Sequence, residues 1–448
     1  MKTKIISAFF VISLIILASC NWIDPALNVD PTSPKDASFS TILPTTQIGL
    51  AYVLGGDVGR FTSLFTQHHK GVARQHQLLY SYALNESDLD NAWTTIYTGP
   101  MTDWKIMMEK ADNESSPHYK GVSQILMAYT LGMFTDLFGD IPYSAALNGE
   151  ASKKPVYDTQ EQIYNTIQTL LTEGIANCGA ASSISKPGAD DFIYGGDMTK
   201  WIKAAHTLKA RFYLHVKDYP NAMTELAAGF TGNDDDMAVY FGESESTANP
   251  FYQFATQRGD ISMGPGLMNL MGGLKDPRIV TYTDDTVYSE DAYVGTFFAS
   301  PNSPVFFITF AEAKFIEAEC KLASSDAKGA NDAYLAGVQA SLEKFGIDGA
   351  LITAYMADPK VDVGQNALTL KTIIEQKYIA LYSQHESWTD WRRTGYPVIN
   401  PVTPPSVPRR FIYPQAERLY NGANLQNATG YKSTPDFIFT KMWWDTKW

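Results

Sequence analysis

Apolar residues recur at three- and four-residue intervals along most of this chain, the spacing of helices that bury one face. Ile163, Ile167, Leu170, Leu171 and Ile175 form one such stripe, with Gly179 as a stop. Trp201, Ala205, Leu208, Phe212 and Val216 form the next, ended at Pro220. Ile373, Ile374, Lys377, Ala380, Leu381 and Gln384 mark another, and residues 93–110 and 119–138 a further pair. Residues 159–162 and Thr309-Phe310-Ala311-Glu312 read as capping boxes, in which the Thr hydroxyl and the Gln or Glu side chain each satisfy a free backbone N–H. The second box opens a helix through "AKFIEAECKLA". After "SSDAKGAND", Tyr334, Val338, Leu342 and Phe345 share one face of a second helix. Two helices joined by a short turn make a helical hairpin. Ala128, Leu131, Gly132 and Thr135 fall at the offsets of a tetratricopeptide repeat's first helix. The expected fold is mainly α, with tetratricopeptide-like hairpins of about 35–40 residues stacked as a right-handed scaffold.

Three stretches interrupt this pattern: residues 179–196, 231–305 and 397–435, with frequent Gly, Pro, Asn, Asp or Ser. Loops this long in a compact protein are usually functional. The reading is one large domain, residues 20–448, with long loops and little β structure on a helical scaffold.

The N-terminus assigns a location. Residues 5–17 are uncharged and largely apolar, behind Lys2 and Lys4. Thirteen residues are too few to span a bilayer, which takes roughly 20, but suit the apolar core of a signal peptide. Leu17-Ala18-Ser19-Cys20 matches the bacterial lipobox, in which cleavage leaves a lipid-bearing cysteine first. The expectation is a signal peptide over residues 1–19 and a lipid anchor on Cys20. Each buried CH₂ contributes about 0.8 kcal/mol, so two or three acyl chains anchor stably. Cys178 and Cys320 are far from Cys20, and their spacing is not that of a disulfide scaffold. Asp24 is the only acid close behind the cysteine, a thin version of a surface-export signal.

Loss of Lys2 and Lys4 with the signal peptide takes the formal charge from −13 to −15. That balance argues against nucleic acid or anionic lipid as ligand. No G-x-S-x-G, H-E-x-x-H or phosphate-binding glycine loop occurs. His68, His69 and His76 lie close in sequence but lack a completing Cys or acid, and read as a polar helix end. Asp234-Asp235-Asp236 and Asp284-Asp285 lack the spaced pattern of a calcium loop and read as acidic surface turns. Nothing in the spacing singles out a carboxylate pair for glycoside hydrolysis.

Five stretches carry a resemblance: "TDLFGDIPYSAAL" from Thr135, "DMTKWIKAAHTLKARFYL" from Asp197, "PVFFITFAEAKFIEAE" from Pro304, "WTDWRRTGYP" from Trp388, and "RRFIYPQAE" from Arg409, followed by Asn421 and Asn424. In this order, behind a lipobox, they resemble the SusD/RagB family of outer-membrane lipoproteins, most of all its SusD-like subgroup. One departure is His206, where that family usually has Asn in a scaffold position. The resemblance implies helical pairs with a loop-rich face and an outer-membrane lipoprotein facing the cell exterior. It also implies a nutrient-binding partner of a SusC-like TonB-dependent transporter. The ligand is expected to be a glycan, with a peptide as the alternative and a lipid-anchored glycoside hydrolase or a purely structural surface protein as weaker readings. No cofactor, catalytic residue or transition metal is expected, and the resemblance allows a structural calcium ion.

The ligand site is expected on the loop-rich face, from residues 74–93 and 240–300. Sugars need flat aromatic platforms flanked by amide or guanidinium hydrogen-bonders. The first segment offers Arg74, Gln75, Tyr80, Asn91 and Trp93, and the second Phe251, Tyr252, Arg258, Tyr288 and Tyr293.

Overall fold

The computed structural model describes residues 37–149 and 153–448. Cys20 and the whole signal segment lie outside the described residues. The chain opens with helix α1 (Phe39–Val53), a π-helical turn at Leu54–Val58, and α2 (Gly59–Phe65). Strand β1 (His69–Gly71) leads into α3 (Arg74–Tyr80). The stretch expected as one helix over 93–110 is two, α4 (Asp90–Thr98) and α5 (Pro100–Asn113). Gly99 turns out of helical geometry (ψ −103°) and Pro100 restarts the helix, where its missing N–H costs nothing.

Helix α6 (Pro117–Phe138) is buried from Gly121 to its last residue, so its apolar pattern runs all round rather than along one stripe. It packs lengthwise on α7 (Gln160–Cys178), which lies against α8 (Met198–His215). A Cβ on Gly132 would stand 2.1 Å from Cζ of Phe212 in α8, so only glycine admits that ring. The capping box at Thr159 forms in full: Thr159 N–H donates to Gln162 Oε1 (2.8 Å), and Gln162 N–H to Thr159 Oγ1 (3.3 Å). Helix α8 ends at His215, before Pro220. That proline instead lies in the first turn of α9 (Tyr219–Leu226), where it is tolerated. His206 holds Glu225 at 2.6 Å across this hairpin, a scaffold role as expected.

The region expected to be irregular over 231–305 is folded. It contains β2 (Met237–Tyr240), α10 (Pro250–Gln257), β3 (Ile261–Met263), α11 (Pro265–Leu274), α12 (Ile279–Thr283) and the start of β4 (Pro304–Ile308). Two short antiparallel pairs form, β1 with β3 (Lys70 opposite Ser262) and β2 with β4 (Ala238 opposite Phe306). Met263, Leu267, Met268, Met271, Ile279 and Tyr282 bury their side chains against the hairpin of α13 (Phe310–Ala323) and α14 (Ala327–Lys344). Phe310 packs on this core and on the larger one around α6, joining them.

The cap at Thr309 is half a box. Thr309 Oγ1 accepts Glu312 N–H (3.2 Å), but the Glu312 carboxylate turns inward. There Arg211 donates to both of its oxygens (2.7 and 2.6 Å) and to the Phe307 carbonyl (2.9 Å). The buried pair gains more from two charge-assisted bonds than the cap would return. Helices α15 (Gly349–Met356), α16 (Leu370–Ala380) and α17 (Glu386–Thr394) follow. The last is closed by Gly395 in the left-handed region (φ +75°). Its Trp388, Asp390, Arg392 and Arg393 are all buried. Arg393 bridges Glu319 of α13 (2.6 Å) and Asp390 (2.6 Å), and Lys377 of α16 closes the cluster on Asp390 (2.8 Å). Within 397–435, also expected as loop, α18 (Gln415–Tyr420) and α19 (Gly422–Thr429) form. No helix among the described residues is long and apolar enough to cross a membrane. Cys178 and Cys320 are free, buried thiols.

Candidate functional site

The pairing of β1 with β3 brings the two expected segments together, because β1 feeds α3 and β3 follows α10. Gly71 ends β1 where a Cβ would stand 1.9 Å from the His76 carbonyl, so the chain folds back tightly into α3. On the other side, Asn249 caps α10, its Oδ1 accepting the N–H groups of Phe251 and Tyr252 (2.8 and 3.1 Å). Gln253, Phe254, Gln257 and Arg258 then fall on one side of the α10 end. Between them the π-helical turn at Leu54–Val58, distorted at Gly56 (ψ −116°), displaces the helix line and sets Asp57 and Arg60 at the floor. Such π turns mark functional positions in many helices.

The result is an open cleft of about 500 Å³ lined by Tyr52, Asp57, Arg60, Gln75, His76, Asn91, Gln253, Phe254, Gln257 and Arg258, among others. Arg60 donates to Asp57 (2.5 Å), and its guanidinium lies 4.5 Å above the Phe254 ring. The His76 ring is 4.5 Å from the same ring. Tyr52, 47% exposed, donates its hydroxyl to Gln253 Oε1 (2.8 Å), which fixes an open aromatic face at the rim. Gln75 donates to Asp88 (2.7 Å), and Asn91 stands 3.5 Å from Asp57. His76 is 2% exposed and neither ring nitrogen has a hydrogen-bond partner. Burial, then the charge of Arg60, hold its pKa down to about 4 against the pull of Asp260, so the ring is neutral at physiological pH. Burial also lowers the Arg60 pKa, opposed by Asp57.

Of the ten residues singled out from sequence, Gln75, Asn91 and Arg258 line this cleft together. Arg74 lies beside it and pairs with the buried Asp260 of the loop before β3. Trp93 is a core side chain, not an open platform. It is 4% exposed, packed on Tyr97, Phe134 and Phe138, because its position on α4 faces α6. Phe251 is likewise buried against His69 and Phe254. Tyr80 and Tyr252 are half-buried outside the cleft lining. Tyr288 donates to the Asp276 carbonyl (3.0 Å) and rests against Gly272. Tyr293 is 69% exposed but does not line the cleft. The residues missed were Tyr52, Asp57, Arg60, Gln253, Phe254 and Gln257. Gly55-Gly56 inside an apolar run, and Asn249-Pro250 as a helix start, were the available signals.

The histidines and acidic runs have other duties. His68 and His69 are buried at β1, not at a polar helix end. His68 lies 2.9 Å from the Tyr378 carbonyl and His69 2.9 Å from the Tyr382 hydroxyl. Asp234 is exposed as expected of a surface turn, but Asp235 is buried and Asp236 half-buried, paired with Lys203 (2.9 Å) and Lys344 (3.1 Å). Asp284 accepts the Thr296 N–H (2.7 Å). Asp136, His215 and Glu386 converge with the geometry of a metal set. Yet His215 bridges the two acids (3.3 and 2.8 Å), and Arg211 stands 3.9 Å from Glu386. Although burial opposes its charge, those carboxylates raise the His215 pKa to about 9. The triad is an internal ion cluster in which the imidazolium already supplies the positive charge.

The described residues thus form a helical-hairpin scaffold with a polar cleft between the N-terminal helices and the 250–258 segment. Residues 31–414 match the SusD-like sequence family described as "Starch-binding associating with outer membrane", and the chain belongs to that family. Its fold is similar to that of a SusD/RagB family protein from Bacteroides thetaiotaomicron, with TM-score 0.76 and 22% identity over 92% of this chain and 99% of that one. A SusD homolog from Bacteroides fragilis (TM-score 0.76, 20% identity, 92% and 99% covered) and a chitin-binding SusD homolog from Flavobacterium johnsoniae (TM-score 0.74, 23% identity, 91% and 98% covered) share it. No match was found among curated proteins.

Proposed function

We propose that this protein is a lipid-anchored, surface-facing nutrient receptor. In this reading it captures a glycan in the Tyr52–Arg258 cleft and hands it to a SusC-like TonB-dependent transporter without cleaving it. One observation carries the reading. In a member of an outer-membrane binding family, β1–β3 pairing gathers an open tyrosine face, four amide side chains and two guanidinium groups around one cleft of about 500 Å³. That is the mixture a sugar ring needs: an apolar face to lie on and donors around its hydroxyl fringe. The lipobox at Cys20 supplies the anchor, and a tethered protein that delivers cargo inward needs a channel. The test is a glycan array probed with the purified protein and with a Gln75→Ala/Asn91→Ala variant. Glycan binding that is lost in the variant at an unchanged melting temperature supports the reading. A protein that binds no glycan, or one whose binding is indifferent to the double substitution, overturns the site. Affinity purification from outer membranes that recovers no large β-barrel protein overturns the transporter partnership.

A further inference from the structure

The charge of the cleft runs against that of the chain. The protein is acidic throughout, with 48 Asp and Glu against 35 Lys and Arg. Yet two guanidinium groups, those of Arg60 and Arg258, line this cleft with one carboxylate, that of Asp57. Asp57 is taken by Arg60 (2.5 Å). Asp260 is 0% exposed, engaged by Arg74 and 3.7 Å from His76, and Asp88 is held by Gln75 (2.7 Å). Arg258 has no carboxylate partner among the described residues. It is close enough that its charge is felt by both Arg60 and His76. Like charges held together in a partly desolvated site repel, and a bound anion relieves that repulsion.

Two further features lie beside the same space. Arg60 is largely buried, its side chain 12% exposed, and its Nε has no hydrogen-bond partner. His76 is buried nearby, its Nδ1 facing Asp260 at 3.7 Å and neither ring nitrogen in a hydrogen bond, although buried polar groups are ordinarily satisfied. A ligand carboxylate would meet the guanidinium groups that line the cleft, and ligand hydroxyls the amides of Gln75 and Asn91. The apolar element is present too. One face of Phe254 is already covered by Arg60, so Tyr52 is the open ring against which a sugar face can lie.

We propose that the cleft takes an acidic oligosaccharide, a uronate-bearing glycan whose carboxylate sits against Arg258 and Arg60 while its hydroxyls meet Asn91 and Gln75. This rests on the glycan-capture reading and adds the charge of the ligand. Guanidinium–carboxylate pairing is stronger and more directional than neutral hydrogen bonding. The site should therefore discriminate a uronate from the same sugar with a primary alcohol.

The experiment is calorimetric titration of the purified full-length protein in detergent. The probes are tetrasaccharides of galacturonate, glucuronate and mannuronate, each paired with its carboxyl-reduced form, and a polyglutamate peptide. The expected result is that at least one uronate binds about tenfold or more tightly than its reduced counterpart. Arg258→Gln should abolish that preference at an unchanged melting temperature, and Arg258→Lys should restore part of it. Reduced forms that bind as tightly as the uronates would remove the acidic ligand while leaving glycan capture intact. Binding of the peptide with no sugar bound would overturn both, and so would failure of every sugar here and on the array.

Discussion

His215 Nε2 lies 2.8 Å from Glu386 Oε1, both side chains essentially inaccessible to solvent, with Asp136 on the other ring nitrogen at 3.3 Å. The imidazole therefore keeps its proton to about pH 9, against 6.5 for an unperturbed ring. A raised folded pKa contributes stability that is complete below the unfolded value and lost as pH rises through the folded one. Burial drives His68 and His385 the other way, to about 3. Their contribution is present above 6.5 and lost as pH falls toward 3. The melting temperature should peak near neutral pH and fall on both sides. His215→Gln should flatten the limb between pH 7 and 9 and cost about 3–5 kcal/mol at neutral pH, since it removes the cation that bridges two buried carboxylates. Calorimetric melts of both proteins across pH 4–9 check this. An alkaline limb unchanged in the variant would assign the proton to another group.

The contact of Gly132 with Phe212 makes a prediction of unusual sign. Glycine to alanine inside a helix ordinarily stabilises by up to about 1 kcal/mol. At Gly132 the new methyl would stand 2.1 Å from a ring that is itself 2% exposed and cannot withdraw. Gly132→Ala should instead destabilise by about 1–3 kcal/mol. Gly273→Ala, with nothing within 4 Å of its Cβ position, should be neutral or stabilising. Chemical denaturation of both variants gives the comparison, and equal effects would dismiss the close-packing account.

The scaffold was legible in the sequence because it is built from local rules. The Thr159 box, the 3.6-residue stripes and the Gly179 stop each act within a few residues of chain. The motifs that carried the family resemblance turn out to make the interior: Trp388, Arg393 and Glu312 hold helices together and none lines the cleft. What escaped was set by distant partners. Residues 231–305 look like loop by composition, yet Met263 and Leu267 are buried by helices from elsewhere in the chain. Glu312 left its cap because Arg211, a hundred residues earlier, offered a stronger bond. Trp93 read as a platform by chemistry alone, and only the packing of α4 on α6 shows it turned inward.

The anchor is tested at Cys20, which lies outside the described residues. A lipobox cysteine is the site of acylation, and its acyl chains are the membrane attachment proposed for the mature chain. Cys20→Ala should therefore leave the protein unprocessed or release it from membranes. Fractionation followed by intact-mass measurement reads both outcomes. A variant that stays in the outer membrane at the wild-type level would show that the attachment is not through this cysteine.

The cleft and the exposed tyrosine outside its lining make opposite predictions for similar side chains. Tyr52 and Tyr293 are both open to solvent, 47% and 69% exposed, so neither holds the core together. Tyr52 lines the cleft with its hydroxyl fixed by Gln253, whereas Tyr293 does not line it. Losing a stacking face typically costs about 0.5–1.5 kcal/mol beyond the area it buries. Tyr52→Ala should therefore weaken binding of the captured glycan by about tenfold, with a melting temperature close to wild type. Tyr293→Ala should leave both quantities unchanged. Trp93→Ala should do the reverse of Tyr52→Ala at the level of the fold. Removing a fully packed indole from between Phe134 and Phe138 should destabilise by about 3–5 kcal/mol. Parallel titrations and melts of the three variants separate the roles. Affinity lost in Tyr293→Ala but kept in Tyr52→Ala would move the site away from this cleft.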